Sequence, residues 1–167
     1  MSIQLRGNDD SVFSNDIVAP NIPTQGSIVG YQQGAWTLSS AVGTISVLRP
    51  YWSRIGNTVF VTCYVSEFSN RTSTTKVAIT GLPYAGLADY NNVVGPVMAQ
   101  YIDNGENGGW STYLSEAASL QFYRTSSTGW QALKYSALNN ATAGLHFCAT
   151  YLTDDTTWTP INGATVQ

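Results

Sequence analysis

The sequence predicts an all-β domain, an antiparallel β-sandwich of jelly-roll type carrying an extended N-terminal arm. Three observations lead there. Apolar residues alternate with period two along most of the chain, almost no run repeats at 3.6 residues, and Gly, Asn, Asp, Ser and Pro interrupt the alternation about every dozen residues.

Taken in order, residues 1–33 stand apart. Their apolar positions (Ile3, Leu5, Val12, Phe13, Ile17, Val18, Ile22, Ile28, Val29) are scattered among Asn, Asp, Ser and Pro and are too few to close a core. Such a segment is ordered by lying on its own domain, on neighbouring copies or on another partner, so 1–33 reads as an attachment and oligomerisation arm, with Leu5, Phe13, Ile17 and Val18 as its contacts. Residues 34–167 read as the head. Its clearest strand is 58–65, where Val59, Val61, Cys63 and Val65 share one face and Phe60, Thr62 and Tyr64 the other. Gly56-Asn57 is a two-residue connection joining 51–55 to that strand. A second strong strand fills 144–153, and others are expected at 43–49, 75–80, 93–101, 110–114, 119–124 and 130–135. Leu114–Ala118 is the only helical candidate, about one turn.

Composition excludes several functions. Only 10% of residues are charged, against about 25% in an average chain, while the chain has 17 Ser, 19 Thr and 12 Asn. Net charge is -3 and no run of Lys or Arg could neutralise a phosphate backbone, which argues against nucleic acid and against an anionic membrane surface. No apolar stretch approaches the roughly 18 residues that span a bilayer, and Met1–Arg6 lacks the layout of a signal peptide, so cytosolic synthesis is expected. Cys63 and Cys148 have neither zinc-site spacing nor disulfide-framework density, and free thiols are the expectation.

Catalytic material is thin. His146 is the only histidine, and its place in a strand suits a hydrogen-bonded structural role better than a general base. No nucleophile elbow, phosphate loop or zinc helix is present. An enzyme would rest on carboxylates alone (Glu67, Asp89, Asp103, Glu106, Glu116, Asp154, Asp155), two of which would have to flank one glycosidic bond. The stretch 103–109 resembles a calcium loop only loosely, since Asn107 and Leu114 stand where acids are required, so it reads as a hairpin tip. Neither a metal nor a cofactor is expected. The triplets Asn70-Arg71-Thr72 and Asn140-Ala141-Thr142 matter as glycosylation sites only in a secreted chain.

Aromatic residues carry the better signal. Trp110, Tyr113, Trp130 and Tyr135 fall in short polar strands, and a pyranose stacks its apolar face on such rings while neighbours such as Asp103 and Asn104 take its hydroxyls. The competing reading is that these rings fill the core or an intersubunit seam.

Four motifs occur in a fixed order: Gly34-Ala35-Trp36-Thr37, Tyr51-Trp52-Ser53-Arg54-Ile55-Gly56-Asn57-Thr58-Val59, Ile79-Thr80-Gly81-Leu82-Pro83-Tyr84 and Phe147-Cys148-Ala149-Thr150-Tyr151-Leu152-Thr153. Together they resemble a family of bacteriophage virion domains found at tail-fibre tips and in other capsid or tail appendages. Residues 3–22 are similar to the shaft or attachment regions of such fibres, which are trimeric. One departure is Leu38, where the family usually has Pro after Trp-Thr; Thr157-Trp158-Thr159-Pro160 occurs near the C-terminus instead. The resemblance implies a virion structural protein, a short tail fibre or appendage, homotrimeric, docked on other virion proteins by its arm and presenting its head to host-surface glycan. The rivals are a capsid decoration protein that stabilises the particle, a glycan depolymerase and a free-living lectin domain.

Overall fold

The computed structural model describes residues 30–87, 95–102, 109–116 and 118–167. The strands are β1 (Tyr31–Ala35), β2 (Ser39–Ser40), β3 (Ser46–Ile55), β4 (Thr58–Ser66), β5 (Ala78–Thr80), β6 (Pro96–Gln100), β7 (Trp110–Ser115), β8 (Ser119–Ser126), β9 (Gly129–Ala132), β10 (Gly144–Leu152) and β11 (Thr165–Val166). All pairings are antiparallel, and the order is β11-β1-β3-β4-β10-β6-β7-β8-β5-β2, with β9 added beside β8. The all-β antiparallel class is therefore the one the sequence predicts. The hydrogen bonding runs as one continuous sheet, however, and among the described residues no break in it divides two layers of a sandwich.

Connectivity makes that sheet curl. β1 and β2 lie near opposite ends of the order, yet only Trp36, Thr37 and Leu38 join them. Eight strand spacings would separate them by roughly 38 Å in a flat sheet, whereas the linker reaches at most about 14 Å. The sheet must bend until its ends approach. The inner surface of that curve is the core, built from Trp52, Val59, Val61, Cys63 and Val65 on one side and Leu114, Leu120, Phe122 and Leu133 on the other. Trp36 closes it, 2% exposed, with its indole N–H directed at the Thr62 carbonyl 3.4 Å away.

Local sequence explains the details. In β4 and β10 the expected alternation holds: Leu145, Phe147, Ala149 and Tyr151 point inward beside Val59, Val61, Cys63 and Val65. Gly56, at φ 56°, is the first of two turn residues between Ile55 and Thr58, where a tight hairpin takes glycine. The segments expected at 43–49 and 51–55 merge into β3, because Arg49 adopts φ 54° before Pro50 and the register shifts between Leu48 and Tyr51. Leu114–Ala118 forms no helix: β7 runs through Ser115 and pairs Ser115 with Ser119 across a hairpin turn. β1 begins at Tyr31, so residues 31–33 pair with β3 as part of the sheet. The arm contacts Leu5, Phe13, Ile17 and Val18 lie outside the described residues.

Both glycosylation-like triplets are turns closed by their own asparagine. Asn70 Oδ1 accepts from the Thr72 and Ser73 amides, and Asn140 Oδ1 from the amide and hydroxyl of Thr142. Cys63 points into the core while Cys148, opposite Thr62, points outward, so the two free thiols lie on different faces of the sheet. Burial pushes the Cys63 thiol up to about 12.

Candidate aromatic binding site

Strands β7, β8 and β9 form a hairpin followed by a further hairpin, and period two decides which rings each exposes. Leu114 and Leu120 are buried, so residues of opposite parity, Tyr113 and Ser111 on β7 and Gln121, Tyr123 and Thr125 on β8, face outward. On β9, Trp130 lies opposite Thr125 on the same face. Tyr113 and Tyr123 are diagonal neighbours across the ladder, with ring centroids 5.3 Å apart at 68°. Trp130 stands 6.5 Å from Tyr113 at 60° and is 73% exposed. The three rings border a shallow cleft of about 190 Å³, completed by Gly109, Ser111 and Thr125.

Polar groups fix the rings. Tyr123 donates its hydroxyl to Gln121 Oε1 at 2.9 Å and accepts from Lys76 Nζ at 2.9 Å. That hydrogen bond, and the Tyr123 charge it would meet, hold the Lys76 ammonium above its ordinary range. At the cleft edge Arg124 donates to Gln131 Oε1 at 2.8 Å. The result is a ledge of aromatic faces with amide, hydroxyl and ammonium groups at its border, an arrangement that stacks a ring and hydrogen-bonds its substituents.

Two of the four expected aromatic residues belong here and two do not. Trp110 shares the parity of Leu114 and is 7% exposed, its ring 5.6 Å beneath the Arg124 guanidinium. Tyr135 is fully buried in a 3-10 turn (Tyr135–Ala137), its hydroxyl 2.6 Å from that of Ser40 and accepting from the Val42 amide. Both are core residues. Sequence reasoning misses Tyr123, although its parity opposite Phe122 marks it as outward. Asp103 and Asn104 lie outside the described residues, as do Asp89 and Glu106.

The remaining candidates form no second site. His146 is exposed, and its ring stacks on Tyr64 at 4.0 Å; among the described residues no hydrogen bond holds it. Among the described residues no three His, Cys, Asp or Glu side chains gather as a metal site. Glu67, Glu116 and Asp154 are exposed. Asp155 is committed to Arg54, which is 1% exposed: Nη1 donates to Asp155 Oδ2 at 2.6 Å, Nη2 to the Asp155 carbonyl and Nε to the Gly56 carbonyl. Partial desolvation pushes the Asp155 carboxyl up, but hydrogen bonds from Thr157, Arg54 and the Trp158 amide outweigh it and bring the group down to about 2. The guanidinium lies between two rings, 4.4 Å from Tyr84 and 3.9 Å from Trp158.

A second surface is apolar. On the outer face of β1, β3, β4, β10 and β6, the side chains of Tyr31, Tyr51, Ile55, Phe60, Met98 and Leu152 are 40–68% exposed. A broad depression of about 670 Å³ lies among Leu48, Tyr51, Tyr64, Met98 and His146. Among the described residues no helix is long and apolar enough to cross a membrane.

No protein-family model, curated protein or solved structure matches the chain.

Proposed function

We propose that the chain is a structural protein of a bacteriophage virion, a short tail fibre or appendage whose head holds host-surface glycan on the Tyr113–Tyr123–Trp130 ledge. The observation that carries this reading is Trp130, a 73% exposed indole fixed on a paired strand beside two tyrosines. Large rings are seldom left so open without a partner, and three at mutual angles suit a sugar face. Binding without chemistry is the better fit, because Asp155, the described carboxylate held in a defined geometry, is spent on Arg54. The arm, through Leu5, Phe13, Ile17 and Val18, docks on other virion proteins, and the apolar outer face packs against further copies as a homotrimer. Linked copies gain avidity from weak sites, so each ledge can be shallow.

The test is binding of the full chain to an array of purified bacterial surface polysaccharides, with W130A and W130F beside it. Wild type binds a subset, W130A binds that subset at least about tenfold more weakly at unchanged melting temperature, and W130F retains most of the affinity. Wild type that binds nothing, or W130A that binds as wild type does, overturns the reading.

A further inference from the structure

Both lysines of the chain stand at the Tyr123 end of the ledge. Lys76 and Lys134 are far apart in sequence but face each other directly in an isolated antiparallel bridge. Parity places them on the outer side: Trp130, Ala132 and Lys134 alternate along one edge, and the Lys76 ammonium reaches the Tyr123 hydroxyl at 2.9 Å. Arg124 borders the same cleft, and together with Lys134 it also lines a neighbouring groove of about 530 Å³. Two of the seven Lys and Arg side chains therefore meet beside the exposed rings, while the Arg124 guanidinium turns to the other face, over Trp110.

In a chain of net charge -3 this is a costly arrangement. Like charges directly opposite in a ladder repel. Among the described residues the one ion pair is Arg54–Asp155, so no described carboxylate neutralises either lysine. An anion seated between the two ammonium groups would turn the repulsion into a pair of charge-assisted hydrogen bonds. We propose that the sugar held on the ledge is anionic, its ring stacked on Trp130 and its carboxylate or phosphate substituent held by Lys76 and Lys134. This rests on the glycan reading above and adds the class of sugar.

The test uses the full chain on bacterial surface polysaccharides immobilised in matched pairs, each native anionic polymer beside its carboxyl-reduced or dephosphorylated neutral form. Wild type binds an anionic member at least tenfold more tightly than its neutral partner, and added salt erodes the difference. Which treatment abolishes the preference, reduction or dephosphorylation, identifies the anionic group. K76Q/K134Q lowers binding of the anionic polymer to the level at which the same variant binds the neutral form, and does not lower the melting temperature, because a repulsion has been removed. Equal binding of both members by wild type, or an anionic preference that survives K76Q/K134Q, overturns this inference alone and leaves the ledge standing. Failure of wild type to bind either member of any pair, or binding unmoved by W130A, overturns both.

Discussion

Arg54 shows how the motifs behind the phage-domain resemblance act physically. It belongs to the second motif, Tyr84 to the third and Tyr151 to the fourth, and the three meet: Arg54 lies over Tyr84, whose carbonyl accepts from the Tyr151 hydroxyl at 3.0 Å. Trp158, from the displaced Thr-Trp-Thr-Pro copy, covers the other side of the guanidinium. These residues therefore hold the fold, while the ledge residues lie outside all four motifs. Because Asp155 titrates near 2 in the folded chain and at its ordinary value of 3.8 when unfolded, the unfolded chain binds more protons between those values. This contribution to stability is complete above the ordinary value and is lost as pH falls from about 4 toward 2. In thermal scans D155N melts lower than wild type at pH 7 and shows a weaker decline across that acid window; an unchanged decline would show that the pair contributes nothing. R54M costs about 1–3 kcal/mol, the usual effect of removing hydrogen bonds to a charged group, since the carboxylate it leaves behind is 22% exposed. At this scale the sequence was only partly legible. Period two already separates Trp110 from Tyr113 once Leu114 is taken as buried, but no local pattern joins Arg54 to Asp155 or Lys76 to Lys134, since register and the return of a distant loop bring them together.

Elements were more legible than residues, since strand parity is local and the turns between strands are written in glycine and proline. The Ile-Thr-Gly-Leu-Pro turn is the clearest case. β5 ends at Thr80, and Gly81 takes φ 93° against the backbone of the β1–β2 linker, where an added Cβ would lie 2.3 Å from the Thr37 carbonyl oxygen. The C-terminal loop clasps the same turn, with the Ile161 amide on the Pro83 carbonyl and Asn162 Nδ2 on that of Leu82, both at 2.8 Å. An alanine at 81 meets strain and a clash that backbone alone must relieve. G81A should therefore cost about 2–4 kcal/mol and lower the melting temperature by about 5–10 °C. G109A is the control, because open space surrounds that position, and equal melting of the two variants would refute the close approach. What the sequence obscured at this scale were interruptions: the bulge at Arg49-Pro50 that bends one long strand, and the tight hairpin after Ser115 that looks like a helical turn.

For the whole molecule, scarce charge and the curled sheet combine. Curling hides one side of the sheet in the core and leaves the other side of β1, β3, β4, β10 and β6 as a broad face. Five strands about 4.8 Å apart and averaging about 25 Å in length give it roughly 600 Å², below but approaching the ~800 Å² per partner of an ordinary stable interface. Tyr51, Ile55, Phe60, Met98 and Leu152 project from it, with Arg49 at its border. The sequence showed the outward residues Phe60 and Tyr64 but could not show them as one surface, because that depends on which strands neighbour β4. In the proposed trimer this face would be the seam, driven by the same physics that makes an exposed aromatic strand unfavourable in water. Light scattering of the full chain at micromolar concentration should give three times 18.0 kDa, and F60K/M98K, which places charges on β4 and β6, should give 18.0 kDa with its melting cooperativity intact. Wild type at 18.0 kDa would show that the face is not a seam between copies. A trimer that survives F60K/M98K would place the seam elsewhere on the chain.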